Sequence, residues 1–427
     1  MVTRLRAHHV VLVPAALVLV LAGGWWVARG AHAPAPAADV PRLGATSVAQ
    51  LTALTDEAIR LYAAGQFPRA CERFSRAWED DPASAARRSD VARCFEGWGW
   101  DSLKRGRPEE AMLLFRQGLR QSPDASTLLR GLGLAAVHAG HADEALVPLE
   151  AAAREDTDAE VHVLLAHLYD RRDDSGRALE HLRLVLAQEP EHAAARRLLA
   201  KIEREARAEA GLAREITPHF VVKWRAAGDP EAHRALLAAL ATARERVVGR
   251  LGEAPRERVT VILYDAAQFQ EVARVHAWVT GLFDGKIRLP IGGALPPRRD
   301  LERILVHEYG HATVHDLTRG RAPRWLHEGL AQALEGATPD PLLRVPGRPT
   351  LAGLEELIAD PDAARARTGY DVALWVVHDL LDRGGMPAMR ELMLRLGRGE
   401  TIAAAVPAVY GLPLAQLEAQ WRRVLGG

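Results

Sequence analysis

The sequence predicts an α-helical repeat array (an α-solenoid) followed by a mixed α+β domain, with a single transmembrane helix at the N-terminus. Three observations carry that reading. Val10 to Ala28 is an unbroken apolar run, a Gly–Ala–apolar–Pro pattern recurs between about residues 50 and 205, and short β-branched runs begin past residue 216. The chain has 427 residues, enough for two or three domains at roughly 100–200 residues each. Hydrophobic residues are 48% and charged residues 26%, which excludes wholesale disorder. Lys+Arg and Asp+Glu both number 55, so there is no global basic field and no nucleic-acid partner is expected. Two cysteines cannot build a disulfide framework or a Cys-rich metal site.

Arg4 and Arg6 precede the apolar run and Arg29 ends it. At about 1.5 Å per residue, nineteen helical residues reach across a hydrocarbon core of roughly 30 Å. Trp25 and Trp26 suit a membrane–water interface, so residues 1–30 read as an uncleaved signal anchor. Ala31-His32-Ala33 offers the alternative, a cleaved signal peptide. Either way the positive flank stays inside and the rest is exported: membrane-anchored with its bulk extracytoplasmic (periplasmic or cell-surface), or secreted after cleavage. The Ala/Pro-rich residues 31–47 form a semi-extended linker.

Residues 48–215 carry the repeats. Ala70, Ala111, Ala145 and Ala178 stand 41, 34 and 33 residues apart, and four positions after each comes Phe74, Phe115, Leu149 or Leu182. Gly65, Gly106 and Gly140 sit five residues before their alanines, where a helix-to-helix turn needs them. Pro82, Pro123 and Pro190 end the second helices. Each unit is a helical hairpin whose small residue admits close approach, and neighbours must stack to bury the face. This punctuation resembles the tetratricopeptide repeat, over about four units. The first interval is seven residues too long, Thr157 replaces a terminal proline, and Asp173 replaces the fourth turn glycine. The resemblance implies a surface for a peptide or protein partner. Cys71 and Cys94 fall on neighbouring helices, and a bridge and two buried thiols both remain open. Ala193–Glu215 reads as a capping helix.

Residues 217–427 form the α+β domain. His219–Trp224 and Arg258–Tyr264 are strand-like, Glu231–Leu251 is helical, and Gly285–Leu289 alternates charged and apolar side chains before Pro290, as an edge strand does. Leu301–His311 contains His307-Glu308-Tyr-Gly-His311, with Asp300 as helix N-cap and Glu302 in the first turn. Histidines at i and i+4 project from one face about 6 Å apart, which suits two ligands of one zinc. Glu308 sits beside them, where it reaches a bound water without ligating. Seventeen residues past His311, Glu328 lies on a second helix opened by Pro323 and closed by Gly336. Two imidazoles, one carboxylate and an open position make a catalytic zinc set.

The His-Glu motif followed at this distance by Trp-Leu-His-Glu328-Gly-Leu-Ala resembles the gluzincin (peptidase MA-like) metallopeptidases, closely over Leu301–Gly336. The resemblance implies a zincin-like metallopeptidase domain and a peptide or protein substrate. It makes Gly285, Lys286, Ile287, Arg288 and Leu289 an active-site edge strand that takes substrate by β-augmentation. It also makes Tyr370, ahead of the apolar helix Val372–Leu381, an oxyanion-stabilising tyrosine beside the catalytic Glu308. Gln332 stands where relatives often carry a second carboxylate; an amide can hydrogen-bond a ligand there but raises His basicity less than a carboxylate does. His315 is a spare ligand or an ordinary helix histidine. The function expected is a membrane-anchored, exported zinc peptidase whose repeats recruit substrates or partners. The alternative is a non-catalytic exported scaffold or chaperone with a vestigial zinc domain.

Overall fold

The computed structural model describes residues 47–154, 158–225, 230–273, 281–291, 295–345 and 350–426. The anchor (1–30), the linker up to residue 46 and Thr157 lie outside the described residues.

The array comprises α1 (Val48–Ala63), α2 (Phe67–Glu79), α3 (Ala85–Lys104), α4 (Pro108–Gln121), α5 (Ser126–His138), α6 (Ala142–Ala152), α7 (Ala159–Arg171), α8 (Ser175–Gln188) and α9 (Ala193–Glu209). The first eight pair as successive hairpins and α9 packs on α8. All four repeat alanines are fully buried, as are Phe115, Leu149 and Leu182 one turn on. A Cβ on Gly133 would collide with Leu149, so the absence of a side chain on α5 is what lets α6 close on it. The seven extra residues of the first interval go into α3, which has 20 residues where α5 and α7 have 13. Seven residues are close to two helical turns, so the insertion lengthens the helix without rotating its buried face. Cys71 and Cys94 form a disulfide between α2 and α3, with a Cα–Cα distance of 5.5 Å.

The turn before each second helix is left-handed: φ is 70° at Gly65, 71° at Gly106 and 75° at Gly140. Asp173 adopts the same conformation, with φ 61°. A non-glycine there carries a steric cost, smallest for Asp and Asn. The Asp173 carboxylate accounts for the exception, as the junction described below shows.

The capping helix is shorter than expected. α9 stops at Glu209, Gly211 turns the chain with φ 82°, and β1 (Leu212–Ile216) opens the sheet. The array therefore ends near 210, because Gly211 breaks the helix and the alternating Leu212–Ile216 pairs with the next strand. β2 (Phe220–Arg225), α10 (Pro230–Leu251), β3 (Val259–Leu263), α11 (Ala266–Ala273), β4 (Leu282–Phe283) and β5 (Ile287–Leu289) follow. The sheet order is β1-β2-β3-β5-β4; β2, β3 and β5 are parallel, and β1 and β4 run antiparallel at the two edges. α12 (Arg298–Thr318) and α13 (Arg324–Glu335) carry the site, and α14 (Leu351–Ile358), α15 (Ala363–Gly397), α16 (Ile402–Tyr410) and α17 (Leu414–Leu425) complete the domain. α15 is broken at Gly385, where φ is 66°. One core runs from Val261 and Ile287 of the sheet through Leu305 and Val306 of α12 to Leu330, Val377 and Leu417. Among the described residues no single helix is long and apolar enough to cross a bilayer; the bent pair α16–α17 passes by composition, but its Val406, Leu417 and Trp421 are core residues.

Gly285–Leu289 is not an edge strand. β5 lies between β3 and β4, with Val261 opposite Ile287 on one side and Phe283 opposite it on the other. Its charged face meets the repeats instead of solvent. Lys286 and Arg288 are 4% and 1% exposed. Lys286 Nζ lies 3.2 Å from Asp170 and 3.5 Å from Asp173, and Arg288 Nη2 lies 3.0 Å from Glu205. Lys201 joins Asp170 and Glu205 at 2.7 and 2.9 Å, and Lys223 joins Asp173 and Glu209 at 2.6 and 2.8 Å. Tyr264 donates to Glu209 and accepts from Arg288. The expected β-augmentation does not fit this strand, since the backbones of Ile287 and Arg288 are paired on both sides and none of Lys286, Ile287, Arg288 and Leu289 lines the cleft. Four cations and the carboxylates of α7, α9 and Asp173 fuse the array to the sheet.

Candidate metal centre

α12 begins at Arg298 with Pro297 as N-cap, so Asp300 falls in the first turn and does not cap the helix. Glu302, a turn later than expected, bonds Arg246 and Arg298. The register still brings His307 and His311 together: their Nε2 atoms are 3.2 Å apart. Glu308 turns inward between them and is 4% exposed.

α13 returns antiparallel in sequence sense after a left-handed turn at Arg319 and packs against α12. Two glycines set that packing. Gly310 faces Ala331 and Leu334, and a Cβ on Gly329 would collide with the Ala373 carbonyl of α15. Glu328, beside Gly329, is thereby pressed to the α12 face, with Oε2 3.7 Å from His307 Nε2 and 3.5 Å from His311 Nε2. One ligand atom from each of His307, His311 and Glu328 lies within 4.8 Å of the others. Tetrahedral ligands at about 2.0–2.1 Å from zinc stand roughly 3.3–3.4 Å from one another. The three separations bracket that value, and the donor chemistry, two imidazoles and a carboxylate with a fourth direction open, fits zinc.

The electrostatics point the same way. Burial alone would lower His307, but the Glu328 and Glu335 carboxylates on its two ring nitrogens outweigh burial and raise it to about 10. Burial would raise Glu328, yet His311 and His307 hold it far below the ordinary carboxylate value. The pocket is thus a well for positive charge. Glu308 differs: burial pushes it up against the pull of His307 and His311, and its Oε2 has no hydrogen-bond partner among the described residues. A buried, unpartnered carboxylate oxygen beside a cation well is an acceptor held ready for a proton.

Glu335 is the residue that sequence reasoning missed. Its Oε2 lies 3.6 Å from His307 Nδ1 and 3.2 Å from Arg303. Seven residues after Glu328 on the same helix, it occupies the same face two turns on, and that spacing was available as a signal. Gln332 bonds no ligand side chain among the described residues and donates to the backbone carbonyls of Glu328 and Tyr370. It braces α13 to α15. Tyr370 lies inside α15, which starts seven residues earlier at Ala363, and its side chain lines the cleft. Burial and then the Glu328 carboxylate push its hydroxyl up. His315 stands apart from the ligand trio, with Nε2 2.6 Å from Arg171 of the repeats.

These groups open on a cleft of about 780 Å³. Its rim is β4, the true edge strand, together with Gly281, Asp284 and Gly285; of the five residues expected to bind substrate, only Gly285 lines it. A Cβ on Gly281 would collide with Glu308, so the bare backbone leaves room for that carboxylate. β4 is two residues long, too short to be read from sequence.

Residues 102–168, from the end of α3 to α7, match the tetratricopeptide repeat family. Repeats of this kind generally bind protein partners. No curated protein matches the chain. Among solved structures, MamA AMB-1 is similar at 20% identity over 37% of this chain and 84% of that one, with a TM-score of 0.29. YrrB, described as a TPR protein with an unusual peptide-binding site, is similar at 17% identity over 34% and 89%, with a TM-score of 0.24. TTC0263, a TPR protein of Thermus thermophilus, is similar at 20% identity over 36% and 98%, with a TM-score of 0.21.

Proposed function

We propose that the chain is a zinc-dependent peptidase with a zincin-like catalytic domain, exported and held at a membrane by its N-terminal segment, whose repeats engage protein substrates or partners. The observation that carries this is the trio His307, His311 and Glu328 at tetrahedral ligand spacing with the unpartnered Glu308 carboxylate beside it. Zinc in this trio supplies Lewis acidity, polarising a carbonyl and making water acidic near neutral pH. Glu308 takes the proton of an attacking water and returns it to the leaving amine, so the products are a carboxylate and an amine. Tyr370 offers a hydroxyl donor to the oxygen on which charge develops. Glu335 holds His307 through Nδ1, which leaves Nε2 as the ligating nitrogen. The Cys71–Cys94 bridge supports an oxidising compartment.

The tetratricopeptide match favours a second reading, because it bears on protein interaction and not on hydrolysis: an exported scaffold whose zinc domain no longer turns over. Metal analysis with a casein and peptide-library assay separates the two. Zinc near one per chain and hydrolysis abolished by a chelator and restored by zinc support the peptidase. Absence of hydrolysis with zinc bound supports the scaffold. His307→Ala should lose the metal, and parental zinc content in that variant would refute the ligand assignment.

A further inference from the structure

The repeat array itself forms part of the cleft wall. Arg171 ends α7 and lines the cleft together with Phe283, Asp284 and Gly285 of the β4 rim. Its Nη2 lies 2.6 Å from His315 Nε2. A guanidinium can only donate, so that nitrogen accepts and His315 is neutral with its proton on Nδ1. His315 is fixed in turn by an edge-on contact with Phe283, the ring centroids 5.7 Å apart.

A neutral partner fixes the guanidinium without cancelling its charge. The same arrangement recurs at Arg319, held by His141 Nε2, but Arg319 does not line the cleft. The adjacent Arg172 is paired with Glu257 at 2.7 Å, and Arg303 in the cleft is paired with Glu335. Arg367 lies toward Asp371, and Arg324, at the opposite α15 end of the cleft, also has no carboxylate partner among the described residues but is not held by a neighbouring ring. Among the described residues no carboxylate pairs with Arg171, which is exposed to the cleft. The centre of the cleft, by contrast, holds Glu308, Glu328 and Glu335. A substrate carboxylate finds a fixed, uncancelled fork of donors at the β4 end.

We propose that Arg171, contributed by the repeats, is a specificity-determining residue that binds a carboxylate of the substrate, either an acidic side chain or the free C-terminus. The term substrate rests on the peptidase reading above; the binding does not. The array then has a second role beyond recruiting partners, since it completes the cleft.

The test uses the full-length chain and one peptide sequence made in four forms: free or amidated at the C-terminus, and with Glu or Gln flanking the cleaved bond. The parent should favour the Glu peptides or the free-carboxylate peptides by about tenfold in kcat/KM, mostly through KM. Which pair is favoured identifies the carboxylate. Arg171→Ala should erase that preference, lowering kcat/KM on the favoured carboxylate peptide by about tenfold so that the four peptides become equivalent, and Arg171→Glu should reverse it. Equal rates on all four peptides by an active parent would overturn the proposal and leave the peptidase reading intact. Should the parent hydrolyse none of them, the peptidase reading fails and fluorescence anisotropy of the same labelled peptides decides. Tighter binding of a carboxylate form that Arg171→Ala abolishes supports the assignment, and indifference to Arg171→Ala overturns it.

Discussion

Among the described residues, the junction and the cleft each gather a dense cluster of charge, and they are built on opposite plans. At the junction, Lys201, Lys223, Lys286 and Arg288 are each within 4 Å of at least two carboxylates, and Tyr264 links two of the partners. In the cleft, Glu328 and Glu335 lie against two imidazoles, Arg303 and the Tyr370 hydroxyl, and Glu308 keeps an oxygen with no partner among the described residues. A buried charge is tolerated when its countercharge is in place. The junction meets that condition with the chain's own residues and is structural. In the cleft the imidazoles and Arg303 answer Glu328 and Glu335, while the Glu308 oxygen is left open to a proton or a cation.

The largest effect should come from breaking the balanced cluster. Lys286→Ala strands Asp170, Asp173 and Glu205 with one cation fewer, and removing one partner of a buried pair costs about 3–5 kcal/mol. Denaturant unfolding should show that loss while zinc content stays at the parental level. Deleting the whole array is a poorer experiment, since it bares Lys286 and Arg288 and confounds recruitment with folding.

A smaller effect should come from the cleft's outer contact. Glu335→Gln keeps the shape beside His307 Nδ1 but removes the charge, and zinc affinity should fall by about 10–100-fold with little change in unfolding free energy. Competition with a chelator measures it. A large loss of stability with unchanged affinity would place Glu335 with the structural charges.

The smallest effect is the pH response of the junction. Burial would raise Asp170, but Lys286 and Lys201 outweigh it and hold the group below its ordinary value. Its contribution is therefore fully present above the unfolded value of about 3.9 and is lost as pH falls through the lower folded value. Urea unfolding free energies should show no loss from Asp170 between pH 7 and 5, and the loss should appear below about pH 4. A loss already complete at pH 5 would contradict this pairing.

What the sequence reveals follows the same division. Local periodicity is legible: the repeat alanines, the turn glycines and the i, i+4 histidines all sit where spacing puts them, because each depends on neighbours a few residues away. Glu328 is legible as well, since a helix, a turn and a return helix fix its distance from His311. The junction is not. Lys286 and Arg288 alternate with apolar residues as on a solvated edge, and nothing local reveals that carboxylates more than 75 residues upstream lie over them. Two signals were nonetheless present. Asp173 departs from glycine at a left-handed turn because its carboxylate holds Lys223 and Lys286. Three of the chain's only four lysines, Lys201, Lys223 and Lys286, gather here, where a compact ammonium serves several carboxylates at once while arginine does the rest of the chain's basic work. Arg171 left no local trace, because its role depends wholly on where the array docks.

The central claim is that the cleft is a zinc site with Glu308 as its base, and one variant tests it most directly. Glu308→Gln retains the side chain's size between His307 and His311 and removes only the proton acceptor. Measured beside the parent, it should bind zinc near one per chain and lose peptide hydrolysis by at least about a thousandfold, at the upper part of the range for a general base. Full hydrolysis by that zinc-loaded variant would contradict the account.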